Sequence, residues 1–338
     1  MLLTVGVVAE HPALQRLVDG RVVDRTPHRA RDLEPRQRPP RVALGRAREA
    51  HELRAADLGQ NIVRLDLIDD LARSPRLSID TGPSALLTYM MFNNDDPVLK
   101  DVRVRRALAM AIDRAAIVRA KLGGRAVLAT GLLAPSHWAY AKVPLPAHDL
   151  DAARALLDEA GYRDPDGPGG KPRLSLSYKC SADPFRLGLA RVIAHDLEQL
   201  GIEVDVRSYE FATFFADVKK GAYQLAQMQT SQISEPDMAY LYFHSSRVPT
   251  PEEQDLHNRW RYRSKELDGL VEAGRHELDR ERRRGIYADV QRVLARDLPI
   301  LPLWHEDNVA VHNRELTGYT LVPTARLGGI AGVSKVAR

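Results

Sequence analysis

The sequence predicts an α/β protein built on a mainly open sheet, and three observations carry that expectation. From about residue 77 to 300, short apolar runs alternate with segments whose apolar residues recur at helical spacing. Gly, Pro and Asp clusters sit between them, where helices and strands must end. Near the end, one short Asp297-Leu298-Pro299 corner joins an amphipathic helix to an apolar strand.

Taken in order, Ile62, Leu65, Ile68 and Leu71 recur at helical spacing, Pro75 stops that helix, and Leu77 and Ile79 alternate as a strand. ALLTYMMFNN (85–94) reads as a strand covered on both faces, broken by Asp95-Asp96-Pro97. DVRVRRALAMAIDRAAIV (101–118) reads as one helix with Val104, Ala107, Leu108, Ala111 and Ile112 inward and Asp101 as its cap. Residues 121–148 are loop-rich. Asp149 opens a helix that Gly161 ends. RLSLSYKC (173–180), a helix near 184–200 and IEVDVRSYE (202–210) give a β–α–β unit. FATFFADVKKG is a short helix and YQLAQMQTS a further strand. Residues 244–262 are polar and irregular, and helices follow near 265–275 and 280–297. In the last of these, Ile286, Tyr287, Val290, Val293 and Leu294 share one face. ILPLW and NVAV then give two apolar runs.

The chain has 338 residues and a net charge of +4. Residues 21–54 hold ten arginines against five acids, so the rest sums to −1 and no basic face for nucleic acid is indicated. No Phe, Trp or Tyr occurs before Tyr89. A segment so poor in large apolar groups cannot offset its ordering entropy by burial, so 1–54 is expected to be poorly ordered. The start, MLLTVGVVAEHP, lacks a basic region and a small-residue cleavage site, and reads as no signal peptide. No run of 18 apolar residues offers a membrane span. Cys180 is the single cysteine; it ends an apolar strand and reads as buried.

No enzymatic constellation is present. DPDGPGGKP fails as a phosphate loop, because Pro165 stands where the first Gly belongs and Pro172 follows the Lys. The eleven His residues show no metal-ligand spacing, and no nucleophile motif appears. Catalytic residues, metal ligands and cofactors are therefore expected to be none.

Six blocks carry a resemblance over residues about 55–325. They are LLTYMMFNN with DVRVRRALAMAIDR; APSHWAY with HDLDAARALLDEAGY; DGPGGKPRLSLSY; ARVIAHDLEQLGIEVDVRSYEFATFF; AYQLAQMQTSQISEPDMAYLYFHS; and YRSKELDGLVEAGRHELDRERRRGIYADVQRVLARDLPILPLWHEDNVAV. In this order they resemble the C-terminal part of the family 5 extracellular solute-binding proteins of ABC transporters, the peptide, dipeptide and nickel binding group.

The resemblance implies a periplasmic-binding-protein type II-like fold, with one complete lobe and a truncated partner lobe. It sets residues 55–89 as a remnant of the first lobe and hinge, 90–300 as the solute-binding lobe, and 301–338 as a tail returning to the first lobe. A hinge strand is implied at Tyr89–Asn93, and ILPLW and NVAV would lack a full sheet to join.

Peptide-binding members carry W-x-x-D-Y-x-D/E-P after the fourth strand, the first Asp pairing with the peptide amine. Glu235-Pro236 holds that register here, which puts Gln229 at the Trp position, Gln232 at the Asp position and Ile233 at the Tyr position. Gln cannot form a charged pair with an ammonium, so a neutral, sugar-like or capped ligand fits as well as a free peptide. Gln229, Ser231 and Gln232 are the implied ligand-facing residues. Trp138, in a Pro-rich loop, and Trp260, between Arg259 and Arg261, are candidate stacking walls. Trp304 reads as core.

The function implied is the substrate-binding component of an importer, holding an oligopeptide or related solute in an inter-lobe cleft for the membrane permease. It implies a monomer, periplasmic or extracytoplasmic, that is not an enzyme. The alternative is a truncated remnant that binds nothing.

Overall fold

The computed structural model describes residues 5–6, 57–61, 63, 65–167, 170–230, 233–323 and 327–335. Apart from Val5–Gly6, the expectations for residues 1–54 lie outside the described residues. The described chain forms two compact units, the larger running from Gly82 to Asp307 with a short piece that includes Pro323.

The elements, in chain order, are β1 (Val5–Gly6), β2 (Leu58–Gln60), α1 (Ile68–Ala72), β3 (Leu77–Phe92), α2 (Val102–Ala111), α3 (Arg114–Leu122), β4 (Ala126–Leu128) and α4 (Leu150–Glu159). There follow β5 (Leu174–Ser181), α5 (Pro184–Glu198), β6 (Ile202–Tyr209), α6 (Phe211–Lys220), β7 (Leu225–Thr230), α7 (Met238–Phe243), α8 (Lys265–His276) and α9 (Arg280–Asp297). β8 (Ile300–Asn313), β9 (Leu316–Thr317) and β10 (Ser334–Lys335) close the chain.

In the larger unit the sheet order is β8-β3-β7-β5-β6, with β4 antiparallel along β8. β5 pairs parallel with β6 and β7, and β3 pairs antiparallel with β7. This α/β arrangement is the one the alternating pattern predicts. A continuous core gathers Leu87, Tyr89 and Met91 of β3, Phe214 and Val218 of α6, Trp260 and Tyr262, and Tyr287, Val290 and Val293 of α9.

Helix starts follow capping chemistry. Asp101, Asp149, Asp183, Ser264 and Asp279 each accept a backbone N–H of the first turn. The segment read as one helix over 101–118 is two. Ile112 turns to extended backbone and Asp113 caps a new helix, accepting the Ala116 N–H at 2.8 Å. The Asp297-Leu298-Pro299 corner is present, with Leu298 left-handed at φ 45° and fully buried. Buried Arg105 holds it by donating to the carbonyls of Leu298 (2.9 Å) and Asp297.

The strand expected as a hinge, Tyr89–Asn93, is the carboxyl end of β3 and the residue after it, inside the larger unit and at most 8% exposed. ILPLW and NVAV are not left without partners: β8 is one 14-residue strand, with Leu301, Leu303, Trp304 and Ala310 at 0% exposure. Ladder bonds join its 304–306 stretch to β4.

The smaller unit pairs β2 antiparallel with residues 310–312 and parallel with β1, around Leu58, Ala310 and Leu316. Its clamps are polar: Lys335 to Asp57 at 2.7 Å and His312 to Asp80 at 3.1 Å.

Candidate binding site at the carboxyl end of the sheet

In an open α/β sheet the carboxyl ends of the parallel strands face the space where ligands bind. Here that edge is reached by the end of β7 and by the start of α5, which follows β5 directly. Gln229, next to last in β7, lies opposite Thr88 of β3. Asp183 caps α5 by accepting the Arg186 N–H at 2.9 Å, which fixes the turn from which the Arg186 side chain leaves.

These side chains meet around one buried carboxylate, Glu306 of β8. Its Oε1 accepts from Thr88 Oγ1 at 2.7 Å, Trp304 Nε1 at 3.2 Å and Arg186 Nη1 at 3.3 Å. Arg186 Nη2 donates to Gln229 Oε1 at 2.9 Å, and Gln229 Nε2 donates to Thr88 Oγ1 at 3.2 Å. Ser84 Oγ donates to the Glu306 carbonyl. The ring of contacts uses both ends of the Gln229 amide, and the Arg186 side chain is 22% exposed, against 9% for Glu306.

Burial pushes the Glu306 carboxyl up. The Arg186 charge and the hydrogen bonds from Thr88, Trp304 and Gln229 together outweigh it and hold the group below its ordinary range. Glu306 is therefore an anion at neutral pH, and Arg186 is its countercharge. The arrangement holds the Arg186 guanidinium in a fixed orientation.

Trp138 lies in the loop between β4 and α4. Its loop is pinned by buried Gln291, which donates to the Ala139 carbonyl at 2.9 Å and accepts the Ala141 N–H at 3.0 Å. Trp138 is half-buried against the core, and the guanidinium groups of Arg280 and Arg283 stand 5.2 and 5.6 Å from its ring. His137 Nε2 lies 3.3 Å from the Ser234 carbonyl, and Arg283 pairs with Glu235 at 3.6 Å. The loop that follows β7 is thus tied to the Trp138 loop and to α9.

Ser231 and Gln232 lie outside the described residues. Trp260 is a core residue, 2% exposed, stacked on Tyr242 and edge-on to Tyr89, and stands apart from the Arg186 ring. Arg186, Glu306 and Thr88 were not among the sequence candidates. A glutamate between the apolar runs ILPLW and NVAV was the available signal, because a buried charge needs a partner. Cys180 is fully buried, and burial pushes its thiol up to about 11. Among the described residues no three His, Cys, Asp or Glu side chains gather as metal ligands.

A groove of about 850 Å³ lies at the other end of β7, lined by Asn93, Lys179, Arg207, Lys219 and Gln224 among others. Three of its cations are matched, Lys179 by Asp217 at 2.7 Å, Arg207 by Asp205 at 2.6 Å and Lys219 by Asp255 at 3.0 Å, and Lys220 and Arg261 also line it.

Residues 47–250 match the family described as bacterial extracellular solute-binding proteins, family 5, middle region. The chain is 28% identical over 262 residues to the probable di/tripeptide-binding protein 5 of Pseudomonas aeruginosa, covering 77% of this chain and 48% of that protein. It is 26% identical to the dipeptide-binding protein of Escherichia coli over 76% of this chain and 48% of that one. The oligopeptide-binding protein AppA of Bacillus subtilis, solved with a nonapeptide, superposes with a TM-score of 0.75 at 25% identity, over 86% of this chain and 58% of that chain. NikZ of Campylobacter jejuni, solved with Ni(L-His), shares the fold with a TM-score of 0.73 at 24% identity, over 88% and 60%. The chain spans about half the length of the curated relatives it matches. The fold is the type II periplasmic-binding-protein fold of these neighbours.

Proposed function

Since the chain belongs to the bacterial extracellular solute-binding proteins of family 5, we propose that it is the substrate-binding component of an ABC importer, taking an oligopeptide or related small solute. The relatives are named for peptide binding and not for catalysis. The observation that carries the reading is the Arg186–Glu306–Gln229–Thr88 ring at the carboxyl edge of the sheet. A buried ion pair is weak support for stability, because desolvation offsets much of its attraction. One whose arginine is partly exposed makes sense as a fixed donor for a polar ligand.

In this reading Arg186 meets a carboxylate or carbonyl of the solute, and Glu306, Gln229 and Thr88 hold it in place. Trp138 offers an apolar edge, and Ser231 and Gln232 add neutral hydrogen-bonding groups. Trp260 is left out, since its ring is in the core. With Gln232 in place of an acid, the solute's amine needs no free charge. Ligand binding shifts the population towards the form that the permease subunits recognise. The protein acts as a monomer outside the cytoplasm and uses no nucleic acid, metal or cofactor. Among the described residues no helix is long and apolar enough to cross a membrane.

The test is a thermal-shift screen of the purified chain against di-, tri- and tetrapeptides, N-acetylated peptides and sugars. A saturable rise in Tm with one of the peptide classes is expected. No rise with any compound at millimolar concentration supports the competing reading, a folded remnant that binds nothing.

A further inference from the structure

Arg247, His257 and Arg259 lie in the polar segment between α7 and α8, away from the ring around Glu306. The Asn258 N–H donates to the Arg247 carbonyl at 2.9 Å, so residue 247 runs beside 257–259. Asn258 itself is fully buried, its amide donating to the carbonyls of Phe243, His244 and Tyr262. That anchor fixes the backbone from which its two half-buried neighbours leave. The Arg259 guanidinium lies 4.7 Å over the Phe215 ring, and Tyr242 meets His257 edge-on at 5.8 Å.

Arg247 Nε, His257 Nδ1 and Arg259 Nε are all sealed from solvent and have no hydrogen-bond partner among the described residues. Neither guanidinium forms an ion pair among the described residues, whereas half-buried Arg114, Arg173 and Arg283 bind carbonyls or carboxylates. Asp255 is close by, but it is exposed and engaged by Lys219 at 3.0 Å. Burial, and then the charges of Arg259 and Arg247, hold His257 below its ordinary range. Two guanidinium Nε–H groups and one imidazole nitrogen, carried on neighbouring stretches of backbone, are left without a partner among the described residues, and the two N–H groups lack an acceptor.

We propose that Arg247, His257 and Arg259 form a binding site for a small oxyanion, of the phosphate or carboxylate class. The anion's oxygens accept from both guanidinium groups and from the imidazole, while the Phe215 face keeps Arg259 in position. This site is independent of the solute reading, because it shares no residue with the Arg186 ring.

The test is calorimetric titration of the full chain with inorganic phosphate and, separately, with acetate. Ionic strength is matched with sodium chloride. Saturable binding of either anion is expected. The Arg247→Gln/Arg259→Gln double variant should bind at least tenfold more weakly and the Arg247→Gln and Arg259→Gln single variants more weakly than the parent, whereas the exposed Arg284→Gln should bind as the parent does. Binding of phosphate alone assigns the site to tetrahedral anions, and binding of both assigns it to oxyanions generally, including a peptide carboxylate. Cooperative melting of the double variant checks its fold, and the two single variants carry the same comparison. The proposal is overturned if neither anion saturates, or if the single and double variants bind as tightly as the parent.

Discussion

Arg186 and Glu306, 120 residues apart, form an ion pair at 3.3 Å in which the arginine side chain is 22% exposed and the glutamate 9%. The asymmetry sets what each mutation does. Removing the arginine leaves an uncompensated buried anion, whereas removing the glutamate leaves a cation that can turn to water.

Arg186→Leu should therefore cost about 3–5 kcal/mol, the cost typical of breaking a buried pair from one side. Glu306→Gln keeps the shape and an acceptor for Thr88 and Trp304, and should cost about 1–3 kcal/mol. Urea unfolding of both variants, read at constant slope, gives the order. Equal losses would contradict the asymmetry.

The acid behaviour of the fold has two separable parts. His305 is buried, and burial holds its imidazole down at about 4, below the ordinary value of about 6.5. A base with a depressed folded pKa contributes stability that is complete above its unfolded pKa and is lost as pH falls from about 6.5 to about 4. Glu306, a depressed acid, contributes stability present above the ordinary carboxylate range and lost only as pH falls below it. His305→Phe should flatten the upper part of the stability profile, and Glu306→Gln the lower part. Unfolding midpoints measured from pH 7 to pH 3 check the two windows. A parallel downward shift of the whole curve in both variants would contradict the assignment.

Within α8 two glycines should respond with opposite sign. A methyl group at Gly274 would stand 2.8 Å from Tyr287 Cζ, on a ring that is itself buried in the core, so Gly274→Ala should cost about 1–3 kcal/mol by overpacking. Gly269 has open space around the same position, and Gly269→Ala should gain up to about 1 kcal/mol from helix propensity. Thermal melts of the two variants give the signs directly.

Arg105 is expected to be irreplaceable by lysine. Its guanidinium donates to four carbonyls, those of Leu99, Lys100, Asp297 and Leu298, and a lysine ammonium has only three donors and no fork. Arg105→Lys should lose about 2–4 kcal/mol by leaving buried carbonyls unpaired around the left-handed Leu298. A loss below 1 kcal/mol in urea unfolding would show that the corner does not depend on this side chain.

The helix Arg280–Asp297 was legible because its apolar stripe, its Asp279 cap and its Pro299 stop all agree. The break between α2 and α3 was not. Val104, Ala107, Leu108, Ala111 and Ile112 continue a helical stripe up to the break, and the Asp113 cap shows only once the backbone has turned. β3 was read as two pieces because Gly82 and Pro83 are breakers in isolation, yet the strand runs through them. At the candidate site, Gln229 was singled out through the resemblance at Glu235-Pro236. Its partners were not, because Thr88, Arg186 and Glu306 come from three distant segments that only the sheet order brings together. Trp260 misled for the opposite reason: charged neighbours in NRWRY suggested exposure, while the ring packs among Tyr89, Tyr242 and Phe243.

Calorimetric titration of the parent chain and of Arg186→Gln, with one dipeptide and its N-acetylated and C-amidated forms, bears most directly on the binding reading. Saturable binding by the parent is expected, tolerant of N-acetylation, and weakened at least tenfold by Arg186→Gln, a change of about 1.4 kcal/mol or more. If no form of the peptide binds the folded parent chain at millimolar concentration, or if Arg186→Gln binds as tightly as the parent, the ring around Glu306 is not a solute site.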